Sequence, residues 1–208
     1  MKIPSTQVKI CGITNLADAR AALEAGADYL GFVLYAKSPR HIAPAALRRV
    51  LDRLRADARV IVVAVNARRA LIEKLAQDCR LHAVQLHGSE RLDDWMDLPL
   101  PIWRAFHLQN GASDPDPAQW PAARYVLDAF VPGRYGGTGQ TADWKIAARL
   151  AKRMPLMLAG GLNPQNVAAA IRQVRPLGVD TAGGVEAAPG RKDRRKLEDF
   201  IKAVRTQS

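Results

Sequence analysis

The chain reads as a single-domain (β/α)8 TIM barrel of the phosphate-binding type, spanning residues 1–208. Three observations predict this. Eight short apolar runs alternate with amphipathic helical stretches along the whole length. Glycine-rich turns follow the last apolar runs, where barrels of this type hold phosphate. No proline- or serine-rich linker and no shift in composition divides the chain.

The first strand is expected over Val8–Ile10, running into Cys11-Gly12, with a helix over Leu16–Ala25 stopped by Gly26. The second, Tyr29–Val33, leads through a long, basic, proline-kinked connection into a helix over Pro44–Arg55, where proline suits the first turn. Strands over Val60–Val65 and Ala83–Leu86 precede helices over Arg68–Gln77 and Ser89–Met96. The fifth strand, Ile102–Phe106, opens the weakest unit. Gln109–Ala122 carries Gly111, Pro115, Pro117 and Pro121, all hostile to a helix. The sixth strand, Tyr125–Leu127, ends at Asp128 and is followed by Gly136-Gly137-Thr138-Gly139 and a helix over Asp143–Arg153. The seventh, Leu156–Leu158, leads to Ala159-Gly160-Gly161 and a helix over Pro164–Val174 with Asn163 as N-cap. The eighth, Val179–Thr181, precedes Ala182-Gly183-Gly184, and Asp193–Arg205 closes the chain. An open doubly wound sheet is the alternative, but it more often has five or six strands. Eight runs favour closure, which removes every sheet edge.

Composition narrows the classes. Apolar residues at 48% and charged residues at 25% are ordinary for a globular domain. No run approaches the ~18 apolar residues that span a bilayer, so no membrane partner is expected. The opening Met1–Gln7 lacks the apolar centre of a signal peptide. Two cysteines far apart then read as reduced thiols in the cytoplasm, with Cys79 in a packing role. The net charge of +11 raises nucleic-acid binding as a class. The basic residues, however, sit among acids in stretches such as Arg48-Arg49, Arg68-Arg69 and Arg191–Lys196, without interleaved aromatics. That pattern is a solvated ring of outer helices, and no nucleic-acid partner is expected. With no long apolar stripe at the surface, a monomer is expected.

Strand alternation assigns the faces. Lys9 shares a face with Cys11, Gln85 with His87, Arg104 with Phe106, Val126 with Asp128, and Asp180 with Ala182. Lys9, Arg104 and Asp180 are expected inside the barrel, where charges must pair. A Lys9–Asp180 pair is expected, because the first and eighth strands adjoin in a closed barrel. Positive charge nearby would lower the pKa of Cys11 and make it a better base. A lone cysteine is more often a small buried hydrophobe, but its place before Gly12 at a strand end favours chemistry. Cys11 and Asp128 are the candidate base and acid for proton transfer on a phosphorylated substrate. Main-chain N–H groups of Gly137, Gly139, Gly160, Gly161, Ala182 and Gly183 are the candidate phosphate grip. The long second connection reads two ways from its residues: an ordinary solvated loop, or one that closes over a ligand with Arg40 gripping a carboxylate through two hydrogen bonds.

Taken together, these segments resemble the phosphoribosylanthranilate isomerase family of tryptophan biosynthesis. The matching stretches are Lys9-Ile10-Cys11-Gly12-Ile13-Thr14, Lys37-Ser38-Pro39-Arg40 and Val84-Gln85-Leu86-His87-Gly88. Leu127-Asp128, Tyr135-Gly136-Gly137-Thr138-Gly139, Leu158-Ala159-Gly160-Gly161-Leu162-Asn163-Pro164 and Gly184-Val185-Glu186 continue the match in order. The resemblance implies an Amadori rearrangement of a phosphoribosyl aryl amine into a 1-deoxyribulose product, with neither metal nor cofactor. It makes Asp128 the general acid on the furanose ring oxygen and Cys11 the general base on the C2′ proton. Arg40 matches the position that holds the anthranilate carboxylate, His87 joins the substrate-binding set, and the glycine turns match the phosphate grip. One departure stands out: Ala182-Gly183 replaces two serines of the family pattern. If those hydroxyls donate to phosphate, two hydrogen bonds of about 1 kcal/mol each are lost while main-chain donors remain. Ala129 replaces a frequent threonine and is a milder change. The related histidine-pathway aminoaldose isomerase is the second enzymatic reading, but it uses two aspartates where this chain has Cys11 and Asp128.

Overall fold

The computed structural model describes residues 5–109, 112–128 and 143–207. Eight parallel strands close into a barrel. They are β1 (Gln7–Ile10), β2 (Tyr29–Val33), β3 (Val60–Ala64), β4 (Ala83–Leu86), β5 (Ile102–Gln109), β6 (Arg124–Asp128), β7 (Leu156–Leu158) and β8 (Gly178–Thr181). Closure runs through β4 against β5, and β1 lies between β2 and β8. Helices α1 (Leu16–Ala25), α2 (Pro44–Leu51), α3 (Arg69–Asp78), α4 (Trp144–Ala151), α5 (Val167–Val174) and α6 (Arg194–Arg205) alternate with the strands.

Local chemistry sets the helix ends. Asn15, Asp143 and Asp193 each accept a first-turn N–H through the side chain, satisfying donors that have no partner inside the helix. Gly26 ends α1 in the left-handed conformation, as its sequence position foretold.

Strand alternation builds two apolar layers. Tyr29, Ile61, Ala83, Trp103, Ala105, Val126, Met157 and Ala159 fill the barrel interior. Ile10, Leu30, Phe32, Val62, Leu86, Phe106 and Leu158 face outward into a second layer, shared with helix residues such as Phe200. This pattern corrects one expectation. Trp103 and Ala105 are the inward residues of β5, so Arg104 and Phe106 point out of the barrel. Arg104 is nonetheless fully buried, donating to Glu90, Leu86 O and Gly88 O with its guanidinium 4.7 Å above the Trp120 ring.

Three further expectations are revised. The helix expected over Ser89–Met96 is a single 3-10 turn, Leu92–Asp94. Glu90 turns inward to accept from Asn66 N and Gly88 N, which pulls the segment out of helical register. The helix expected from Pro44 to Arg55 ends at Leu51, giving way to turns. α5 begins at Val167, because the Asn163 carboxamide accepts from Gln165 N and Asn166 N and closes a separate turn first. The fifth unit is helix-poor as its glycine and prolines require: a short antiparallel strand, Ala112–Asp114, and a 3-10 turn, Pro117–Gln119. A small hairpin, Glu186–Ala188 against Arg191–Lys192, follows β8 and was not anticipated.

Candidate active site

The C-terminal ends of the strands surround a cavity of about 760 Å³. Cys11 enters it from the end of β1, His87 from beyond β4, Asp128 from the end of β6 and Arg40 from the second connection. Gly160-Gly161 and Ala182-Gly183 line the same space. Eight of the ten residues singled out from the sequence therefore meet in one cavity. Gly137 and Gly139 lie outside the described residues.

Cys11 is half-buried, and its N–H donates to Thr181 O at 2.8 Å, which fixes β1 against β8 at the mouth. On the same face, one strand step deeper, the fully buried Lys9 donates to Asp180 Oδ2 at 2.7 Å. The expected pair between the first and last strands is thus present. Its expected effect on Cys11 is not. Burial pushes the thiol above its ordinary pKa, and the pull of Lys9 and Lys192 in the other direction does not overcome it.

His87 is held from two sides. Its Nδ1 lies 3.1 Å from Gln85 Nε2, and its Nε2 lies 3.5 Å from Asp128 Oδ2. Gln85, His87 and Asp128 thus form a short polar chain across adjacent inward positions.

The grip foreseen for Arg40 is made, but to the protein's own carboxylate. Nε and Nη2 donate to Glu186 Oε1 and Oε2 at 2.9 and 2.7 Å. Glu186 also accepts from Lys192 Nζ at 3.0 Å, and the same ammonium donates to Ala182 O. Burial alone would raise the Glu186 carboxyl, but Arg40 and Lys192 hold it below the usual carboxylate range. Lys192 belongs to the basic run Arg191–Lys196, read from sequence as a solvated face, yet it is buried. Glu186 and Lys192 are the site residues that strand periodicity could not reveal, since both follow the last barrel strand.

The turns after β7 and β8 suit an anion. Gly160 and Gly161 take φ of 82° and 62° in succession, a backbone path that brings main-chain atoms to the cavity wall and that side-chain-bearing residues resist. Asn166 Nδ2 braces this turn at Gly161 O, and Thr181 Oγ1 ties it to β8 through Leu162 O at 2.7 Å.

Fold and site together define a (β/α)8 barrel enzyme whose cavity brings a thiol, a carboxyl and the turns after its last two strands together at the C-terminal strand ends. The family model for N-(5′-phosphoribosyl)anthranilate isomerase matches residues 8–203. The Trichlorobacter lovleyi protein named N-(5′-phosphoribosyl)anthranilate isomerase is 44% identical over 197 residues, covering 94% of this chain and 96% of its own. The phosphoribosyl anthranilate isomerase structure from Thermus thermophilus superposes with a TM-score of 0.86 at 34% identity, covering 98% of this chain and 100% of its own. Another, solved in complex with reduced 1-(o-carboxyphenylamino)-1-deoxyribulose 5-phosphate, gives a TM-score of 0.82 at 36% identity over 97% of this chain and 99% of its own. This chain belongs to the N-(5′-phosphoribosyl)anthranilate isomerase family.

Proposed function

We propose that this enzyme converts N-(5′-phosphoribosyl)anthranilate into 1-(o-carboxyphenylamino)-1-deoxyribulose 5-phosphate, the isomerase step of tryptophan biosynthesis. The observation that carries the reading is that Cys11 and Asp128 line one cavity with the glycine turns after β7 and β8.

Asp128 donates a proton to the furanose ring oxygen, and the C1′–O bond breaks as the nitrogen lone pair forms an iminium. Cys11 thiolate then takes the C2′ proton, leaving an enolamine that tautomerises to the ketone. Both transfers are within the reach of general acid–base side chains, and the overall change is an internal redistribution of hydrogen. The raised thiol means that the reacting form of Cys11 is generated from a neutral resting state, favoured by Lys9 below it and Lys192 beside it. The phosphate is held by main-chain N–H groups of Gly160, Gly161, Ala182 and Gly183, with Gly137 and Gly139 completing the set. That arrangement needs no serine at 182 or 183.

We place the enzyme in the cytoplasm as a monomer. Both cysteines are free, and among the described residues no helix is long and apolar enough to cross a membrane. Among those residues, Met96 is the exposed large apolar side chain, which supports a monomer.

The test is turnover of freshly made phosphoribosylanthranilate, followed by its fluorescence. Cys11→Ser and Asp128→Asn should each lower kcat by roughly 10²-fold or more without unfolding the barrel. Near-normal turnover in both would end the assignment of roles. Assay of the histidine-pathway aminoaldose in parallel separates the two related barrel activities.

A further inference from the structure

Arg40 is a long cation lining the cavity, and its side chain would otherwise sample many rotamers. In this structure it runs through a slot that two glycines leave open. A Cβ on Gly12 would stand 2.5 Å from Arg40 Cδ, and one on Gly183 would stand 3.0 Å from Nη2. Along that slot the guanidinium meets Glu186, whose two oxygens take Nε and Nη2. Glu186 is itself buried and fixed from behind by Lys192 Nζ and Gly190 N.

We propose that Glu186 is a positioning residue that holds Arg40 side-on to the cavity, so that Nη1 meets the aromatic carboxylate of the substrate, with Lys192 as the buried counter-charge. The inference rests on the isomerase reading above. A fork gripped along one edge cannot rotate, so the remaining nitrogen is presented in one direction. Charge explains the lysine. Arg40 and Glu186 alone would be neutral and would offer little to an anion. Adding Lys192 restores one net positive charge to the cluster while leaving Glu186 in place. Gly183 fits the same account: where the family pattern has serine, this chain has no side chain to contest the space beside Nη2.

The experiment compares kcat and KM of the full-length wild type and Glu186→Gln on two substrates, phosphoribosylanthranilate and its decarboxylated analogue N-(5-phosphoribosyl)aniline. Loss of the charge-assisted grip should raise KM for the carboxylated substrate by about tenfold or more. The kcat on that substrate and the KM of the analogue should change less than about threefold. Equal losses on both substrates would reduce Glu186 to a structural residue and overturn the proposal. A fall in KM would overturn it too, since Glu186 would then be competing with the substrate for Arg40. If Glu186→Gln does not fold, Glu186→Asp carries the same comparison, keeping the charge but shortening the reach, with a smaller rise confined to the carboxylated substrate. Absence of wild-type turnover would instead refute the isomerase reading itself, a result distinct from either failure of the variant.

Discussion

Lys9 Nζ lies 2.7 Å from Asp180 Oδ2, an ion pair that joins the first and last barrel strands on the face that carries Cys11. The two residues are direct partners in the parallel register. Lys9 is fully buried; burial pushes its pKa down, but Asp180, with Cys11 adding to it, raises the lysine above its ordinary value. Lys9→Met therefore leaves a buried carboxylate without its partner and should cost about 3–5 kcal/mol by denaturant unfolding, whereas Lys9→Met with Asp180→Leu should cost much less. The pH dependence has a definite sign. A lysine raised in the folded state stabilises fully below its unfolded pKa of about 10.4, and that contribution is lost as pH rises through the folded value. Wild type should lose stability above about pH 10 more steeply than the double variant.

Cys11 gives a second prediction. Burial places the thiol above the ordinary value of about 8.5, so thiolate is the minority form at neutral pH. In a Cys79→Ala background, alkylation of Cys11 by iodoacetamide should accelerate with pH through an alkaline midpoint. The kcat/KM of the isomerase should climb over the same range, because the free enzyme must lose that proton to act as base. Cys11→Asp replaces the thiol with a carboxyl whose ordinary pKa of about 3.9 lies far below that of a thiol, so the alkaline climb should vanish while reduced activity remains. A flat wild-type profile between pH 7 and pH 9 would show that another group removes the C2′ proton.

Much of this was legible because barrels repeat a simple rule. Period-two alternation paired Lys9 with Cys11, Gln85 with His87 and Val126 with Asp128 on common faces, and adjacency of the end strands gave the Lys9–Asp180 pair. The same rule failed at Arg104. Charge was assigned to the polar interior, but the strand phase is fixed by Trp103 packing edge-on against Tyr29 inside the barrel. The electrostatics of Cys11 were misjudged for a different reason: sequence names the neighbouring lysine but not the water removed around the sulfur. Glu186 stood in the matched stretch Gly184-Val185-Glu186 without a role, and Lys192 was read as solvated, because the Arg40–Glu186 contact spans 146 residues and Lys192 joins it only through Glu186. Asn163 was read as the cap of a helix starting at Pro164, but its side chain closes a separate turn and the helix starts later, at Val167.

Gly31 supplies a steric prediction. It faces inward on β2, and a Cβ there would stand 2.8 Å from Cys11 Sγ and 3.1 Å from Lys9 Cε. Lys9 is held to Asp180 and the Cys11 backbone to Thr181 O, so the group that must give way is the Cys11 sulfur, by rotation about χ1. Gly31→Ala should therefore displace the sulfur from its position, lowering kcat by an order of magnitude or more, since small misplacements of a reacting group are costly. KM should change little, because Arg40 and the glycine turns are untouched. A variant with normal kcat would show that the base tolerates more than one position.

Arg104 extends the catalytic geometry from outside the barrel. Its guanidinium donates to Leu86 O at 2.9 Å and Gly88 O at 2.8 Å, the carbonyls on either side of His87, and pairs with Glu90 at 2.8 Å. Glu90 in turn accepts from Asn66 N and Gly88 N, so one buried ion pair shapes the whole turn that carries His87 into the cavity. Arg104→Met removes three donated bonds and leaves Glu90 buried with an uncompensated charge, a loss expected at about 3–5 kcal/mol. Arg104→Lys should recover only part of it, because a compact ammonium lacks the planar fork that reaches two carbonyls and a carboxylate from a position over Trp120. Denaturant midpoints of the three proteins test the ranking wild type, lysine, methionine. Activity measured well below the unfolding transition tests the second half: if the turn positions His87, the lysine variant should show a weakened turnover even where it is fully folded.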